Sequence, residues 1–172
     1  PAPHACTITK VTDRVGPGTY AVITLQSDAL MVDDGDLLKN QSAEELKKLY
    51  GEFWKGVLGS GCELYNFFAM QKLRGGFLRR RRGDFPYYYP YYLTEAGSVF
   101  VLKLEDQEKE KAKEKFDAWR AKGLDLPGWA TQVYGREVWK KCPYVPENGF
   151  GEVTVEEITI PDGAAGEGGK AS

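Results

Sequence analysis

The spacing of apolar positions changes several times along the chain, and each change marks a boundary between elements. Over residues 19–32, Tyr20, Val22 and Thr24 alternate with Ala21, Ile23 and Leu25, so both faces are apolar or β-branched. A strand of that kind is predicted to lie inside its sheet. Asp33, Asp34, Gly35 and Asp36 then break the run, and we read them as a solvated turn, because their spacing lacks the glutamate-terminated loop of an EF-hand. Ser42, followed three residues later by Glu45, forms a capping box. Behind it Leu46, Leu49, Tyr50, Phe53, Trp54 and Val57 share one face at helical spacing, which predicts a helix over 43–58 stopped by Gly59 and Gly61.

Residues 62–73 read as a second strand, rich in Leu64, Tyr65, Phe67, Phe68 and Met70, and ended by Gly75 and Gly76. A third strand is predicted over 97–104. A highly charged helix follows over 105–121, whose narrow apolar stripe is Ala112, Phe116 and Trp119. Residues 124–146 read as a loop, and Val153, Val155, Ile158 and Ile160 mark a last strand. The predicted organisation is a lead-in over 1–18, a folded domain over 19–162 and a glycine-rich flexible tail over 163–172. Strand, helix, strand, strand, helix, strand is the order of a ferredoxin-like βαββαβ domain, an α+β fold with a four-stranded antiparallel sheet and two helices on one face. Its free face is where RNA recognition motifs stack bases.

Composition narrows the function classes. With 172 residues, 42% of them apolar, the chain is large enough for an ordinary core, and its formal charge of -2 means that any polyanion site must be a local patch. No apolar run approaches the roughly 20 residues that span a bilayer, so we expect a soluble cytoplasmic protein without a membrane partner. The sequence starts at Pro1 rather than Met, as a processed or partial chain does. Cys6, Cys62 and Cys142 are odd in number and widely spaced, which argues against a disulfide framework. His4 is the single histidine, too little for a zinc site or for histidine acid–base chemistry in the domain core. We therefore expect no catalytic residue, metal or cofactor.

The chemistry-bearing stretch lies between the second and third strands. Lys72, Arg74, Arg79, Arg80, Arg81 and Arg82 fall within twelve residues that contain no acid. Adjacent arginines repel one another unless solvated or met by anions, and their forks match phosphate oxygens. Gly75 and Gly76 let backbone N–H groups approach a phosphate, and we expect phosphate contact rather than base reading. The alternative is a solvated loop. A run of aromatics follows over 85–92, in which Tyr88 and Tyr91 offer stacking faces for unpaired bases. Equally, the tyrosines can pack on the domain's own helices or on a partner. Gly149, Phe150 and Gly151 lack the spacing of a phosphate-binding P-loop.

Four segments together carry a resemblance: residues 20–30 (YAVITLQSDAL), 73–77 (LRGGF), 96–102 (AGSVFVL) and 149–153 (GFGEV). In this order they resemble the RAMP superfamily of CRISPR proteins, above all the C-terminal half of the group-five RAMP subunit of type III-D effector complexes, over residues 19–160. The resemblance implies a non-catalytic subunit that holds the 5′ handle of the guide RNA and contacts the large signature subunit and a backbone RAMP subunit. It also implies RNA contact at Arg74, Gly75, Gly76 and Phe77, and either RNA contact or bracing of the fold by Gly149, Phe150 and Gly151. Two other readings compete: a protein–protein adaptor of the same assembly, and a guide-processing RAMP endoribonuclease, against which the absence of histidine after His4 counts.

Overall fold

The computed structural model describes residues 16–39, 42–75, 90–135 and 138–161. Its first strand, β1 (Gly18–Leu25), alternates as the sequence predicts: Ala21, Ile23 and Leu25 are buried in the main core, while Val22 and Thr24 are half-buried on the other face. The chain continues through α1 (Asp34–Lys39), α2 (Ala43–Leu58), β2 (Cys62–Phe68), β3 (Gln71–Arg74), β4 (Tyr91–Thr94) and β5 (Val99–Leu104). A short 3-10 turn leads into α3 (Lys109–Lys122), followed by α4 (Gly128–Tyr134), α5 (Val138–Lys141) and β6 (Val153–Ile160). The fold is α+β. Four strands form an antiparallel sheet in the order β2-β5-β1-β6, and β3 with β4 forms a separate hairpin. β1 is therefore an interior strand, as its two apolar faces require.

Helices α2 and α3 supply the other half of the main core. Ser42 caps α2 with both hydrogen bonds of the expected box, and Tyr50, Phe53, Trp54 and Leu58 are its buried residues. Leu46, Leu49 and Val57 pack at the margin. The buried residues of α3 are Ala112, Phe116 and Trp119, the predicted stripe. Trp54 lies at the centre, its ring centroid 5.2 Å from Phe100 and 6.0 Å from Trp119.

Four expectations are corrected. The first strand stops at Leu25, because the chain beyond Gln26 leaves its sheet partners: Asp28 accepts from the Ala96 N–H in the turn before β5, and Ala29 pairs with Thr94 of β4. The predicted strand over 62–73 is two strands, interrupted at Ala69 and Met70. Asp33 opens α1 instead of a plain turn, its carboxylate accepting from the Gly35 N–H at 2.8 Å. The predicted loop over 124–146 holds α4 and α5. Ala130, Tyr134, Val138 and Cys142, four residues apart, are buried in a second core with Leu30, Leu93, Tyr144 and Val145. This smaller core sits beside the end of the sheet where β1 ends and β6 begins.

Replacing Trp54 by Ala should cost about 3–5 kcal/mol in urea denaturation. Trp54→Phe should cost far less, because the indole N–H has no hydrogen-bond partner among the described residues and its loss strands nothing.

Candidate nucleic-acid interface

The basic stretch begins in the hairpin, with Lys72 and Arg74 on β3, and the root of that hairpin is tied to the rest of the fold at several points. Gln71 faces Thr94 and Arg74 faces Tyr91 across it. Leu93 and Thr94 are buried, and Ala29 exchanges two 2.8 Å backbone hydrogen bonds with Thr94. From α2, the buried Tyr50 hydroxyl lies 3.1 Å from the Thr94 hydroxyl and accepts from the Gln71 amide at 2.7 Å. Both strands of the hairpin are thereby held by one side chain.

Asp28 makes the second set of ties. One carboxylate oxygen accepts from Arg74 Nε at 2.7 Å and Nη2 at 2.6 Å, and the other accepts from the Ala96 N–H at 3.0 Å. Its backbone carbonyl accepts from the Gly151 N–H at 2.9 Å. Asp28 thus joins the segment after β1 to β3, to the turn before β5 and to the glycine loop before β6. Its side chain is 11% exposed, so the pair with Arg74 is screened by little water on the acid's side.

The sequence-predicted residues do not form one group. Lys72 and Arg74 are both matched by acids: Lys72 reaches Glu95 at 3.3 Å, an exposed pair, and Arg74 commits two nitrogens of its fork to Asp28. Gly75 follows, exposed and at φ 83°. Tyr91 and Phe150 belong to the second core, where Tyr91 lies edge-on to Tyr134 at 6.3 Å and Tyr144 at 5.7 Å, and Phe150 to Tyr144 at 5.3 Å. For Tyr91, packing on the protein's own elements is what the geometry displays. Gly76, Phe77, Arg79, Arg80, Arg81, Arg82 and Tyr88 lie outside the described residues.

Within the glycine loop the two glycines differ. Gly149 is exposed at φ 81°, with open space where a Cβ would stand. Gly151, at φ 74°, accepts from the Leu124 N–H at 2.8 Å and lies against Gly123, where a Cβ would come within 3.2 Å of the Gly151 carbonyl oxygen. Gly151 braces the end of α3 against the start of β6.

The residues that sequence reasoning missed are Asp28, Tyr50, Gln71, Thr94 and Glu95. Tyr50 was visible as a helix-face residue, but its hydroxyl chemistry was not. No local pattern links Asp28 to Arg74, 46 positions away. No described element covers the sheet face opposite α2 and α3. It carries the pair Tyr20–Tyr65, edge-on at 5.6 Å, with Phe68 and Ile158 exposed and Glu63, Lys103 and Glu156 among them. That face is apolar and mixed in charge, a poor electrostatic match for phosphates.

Among the described residues no group of three His, Cys, Asp or Glu side chains is arranged to hold a metal, and no helix is long and apolar enough to cross a membrane. Burial pushes the Cys62 thiol up to about 11, against a weaker opposing pull from Lys55, and pushes Cys142 upward as well. At pH 8 only about one Cys62 in a thousand is thiolate. Both thiols should therefore resist iodoacetamide at pH 8 in the native protein and label on adding denaturant, as peptide mapping by mass spectrometry would show.

Comparison of the chain with protein-family models, with curated proteins and with solved structures gives no match.

Proposed function

We propose that the chain is a non-catalytic RNA-binding scaffold of a prokaryotic, cytoplasmic type III CRISPR effector complex, a RAMP protein of ferredoxin-like fold. On this reading it holds the 5′ handle of the guide RNA and touches the large signature subunit and a backbone RAMP subunit. The strand order supports the fold assignment: numbering only the four sheet strands along the chain gives 2-3-1-4, all antiparallel, the order a βαββαβ domain adopts. The observation that carries the functional reading is the locked hairpin root, whose strand β3 is followed in sequence by four consecutive arginines. A fixed root lowers the entropy lost when a basic segment engages a phosphate chain.

Because Lys72 and Arg74 are already paired with acids, the phosphate-binding charge is assigned to Arg79, Arg80, Arg81 and Arg82. One observation favours the adaptor as a second reading. Phe68, Met70 and Leu73 are 71%, 65% and 53% exposed beside the hairpin root, an apolar strip suited to a neighbouring protein.

Four phosphate contacts predict a log–log salt slope near -3 for single-stranded RNA, at roughly 0.7 per phosphate. Changing the four arginines together to Ala should bring the slope toward zero and weaken unrelated RNA sequences alike, whereas Arg74→Ala should leave the slope nearly intact. Unaltered RNA affinity and slope, combined with failed assembly on partner subunits, would establish the adaptor instead.

A further inference from the structure

Antiparallel pairing decides which backbone groups of β3 are used and which are left over. Ala29 exchanges two backbone hydrogen bonds with Thr94, so Thr94 turns its N–H and carbonyl away from β3. Gln71, opposite Thr94, therefore turns its own away from β4, and by alternation Leu73 does the same. The Met70 carbonyl accepts from the Glu95 N–H on the β4 side, which directs the groups of Ala69 outward as well. No described strand pairs with that outer edge. An open edge is a template for another strand.

The side chains along the edge are the second observation. Phe67 and Gln71 both reach Tyr50 of α2, the rings at 5.4 Å between centroids and the amide at 2.7 Å from the hydroxyl. The residues between and beyond them, Phe68, Met70, Lys72 and Arg74, thus share the opposite face, where Phe68 and Met70 are exposed. That face carries two apolar residues and then two cations. Laid antiparallel beside itself, it sets each apolar residue against a cation.

We propose that this edge pairs with the same edge of a second copy, antiparallel, about a two-fold axis at Gln71. Gln71 then meets the copy's Gln71 and Ala69 meets the copy's Leu73, each pair joined by backbone hydrogen bonds, while Met70 faces the copy's Lys72 and Phe68 the copy's Arg74. Neither cation gives up its acid. Arg74 holds Asp28 through the edge of its guanidinium, which leaves the flat face for the Phe68 ring, and Lys72 lays its stem along Met70 while its ammonium stays with Glu95. An axis at Lys72 or Leu73 would instead set Lys72 against the copy's Lys72 or Arg74, like charges opposite one another. An axis at Met70 would need the Phe67 N–H, which the Asn66 side chain already holds at 2.9 Å. The pairing is independent of the RNA-binding reading, and it makes a second copy the neighbour of the exposed apolar strip.

The test uses the full chain, purified without RNA. Sedimentation equilibrium followed up to about 1 mM should show a reversible monomer–dimer equilibrium. Leu73→Pro removes an outward N–H from each copy but no hydrogen bond of the hairpin, and should raise the dissociation constant about tenfold or more while circular dichroism shows the fold kept. Met70→Lys, at an exposed position, should weaken the dimer by a similar factor by setting an ammonium against the copy's Lys72, whereas Met70→Glu should tighten it. In a mixed dimer of labelled and unlabelled chains, isotope-filtered spectra should connect the Met70 Hα with the Lys72 Hα of the other copy. A chain monomeric throughout, a dimer indifferent to both Leu73→Pro and Met70→Lys, or intermolecular contacts centred away from β3 would overturn the proposal. Each of these results leaves the salt slope of RNA binding to decide the other reading.

Discussion

Asp28 stands where the chain leaves its central strand, and its few hydrogen bonds fix the relation between the sheet and everything attached to that end. The carboxylate holds Arg74 and the Ala96 amide, and its carbonyl holds Gly151. An acid that is 11% exposed and matched by a guanidinium and an N–H is stable in place, and removing the Arg74 guanidinium leaves its carboxylate without a counter-charge. The neighbouring residues add to the same seam: Ala29 pairs with Thr94, and Ser27 accepts from the Glu152 amide. Three segments distant in sequence thus meet at one short turn, and the second core is assembled against it.

This arrangement gives two cations of the basic stretch a structural role. In sequence Lys72 and Arg74 look like members of one basic patch with Arg79, Arg80, Arg81 and Arg82. In space Arg74 is part of the frame and Lys72 pairs with Glu95 across the hairpin. A similar distinction holds among the aromatics, since Tyr91 is built into the second core while Phe68 stands exposed. Basic and aromatic residues side by side in a sequence therefore do not make one interface.

What the sequence made legible was periodic or capped. The Ser42 and Glu45 box marked the start of α2, alternation marked β1 as interior, and Ala112, Phe116 and Trp119 marked the buried face of α3. The second core was hidden for a physical reason: α4 and α5 are seven and four residues long, too short for a full amphipathic pattern to develop. The four-residue spacing of Ala130, Tyr134, Val138 and Cys142 was their trace. The hairpin was masked because β2 runs almost directly into β3, and what separates the two is their partner: β2 pairs with β5, whereas β3 pairs with β4 from Gln71–Thr94 to Arg74–Tyr91. The Asp28–Arg74 tie depends on tertiary geometry alone.

Amide hydrogen exchange on Asp28→Ala tests the central claim most directly. If Asp28 holds the seam together, the amides of Ala29, Thr94 and Gly151 lose protection by a common factor in the variant, while Ile23 and Val101 inside the sheet keep theirs. Loss confined to the Ala96 amide, the direct donor to the missing carboxylate, would show that the seam stands without Asp28 and would contradict the account.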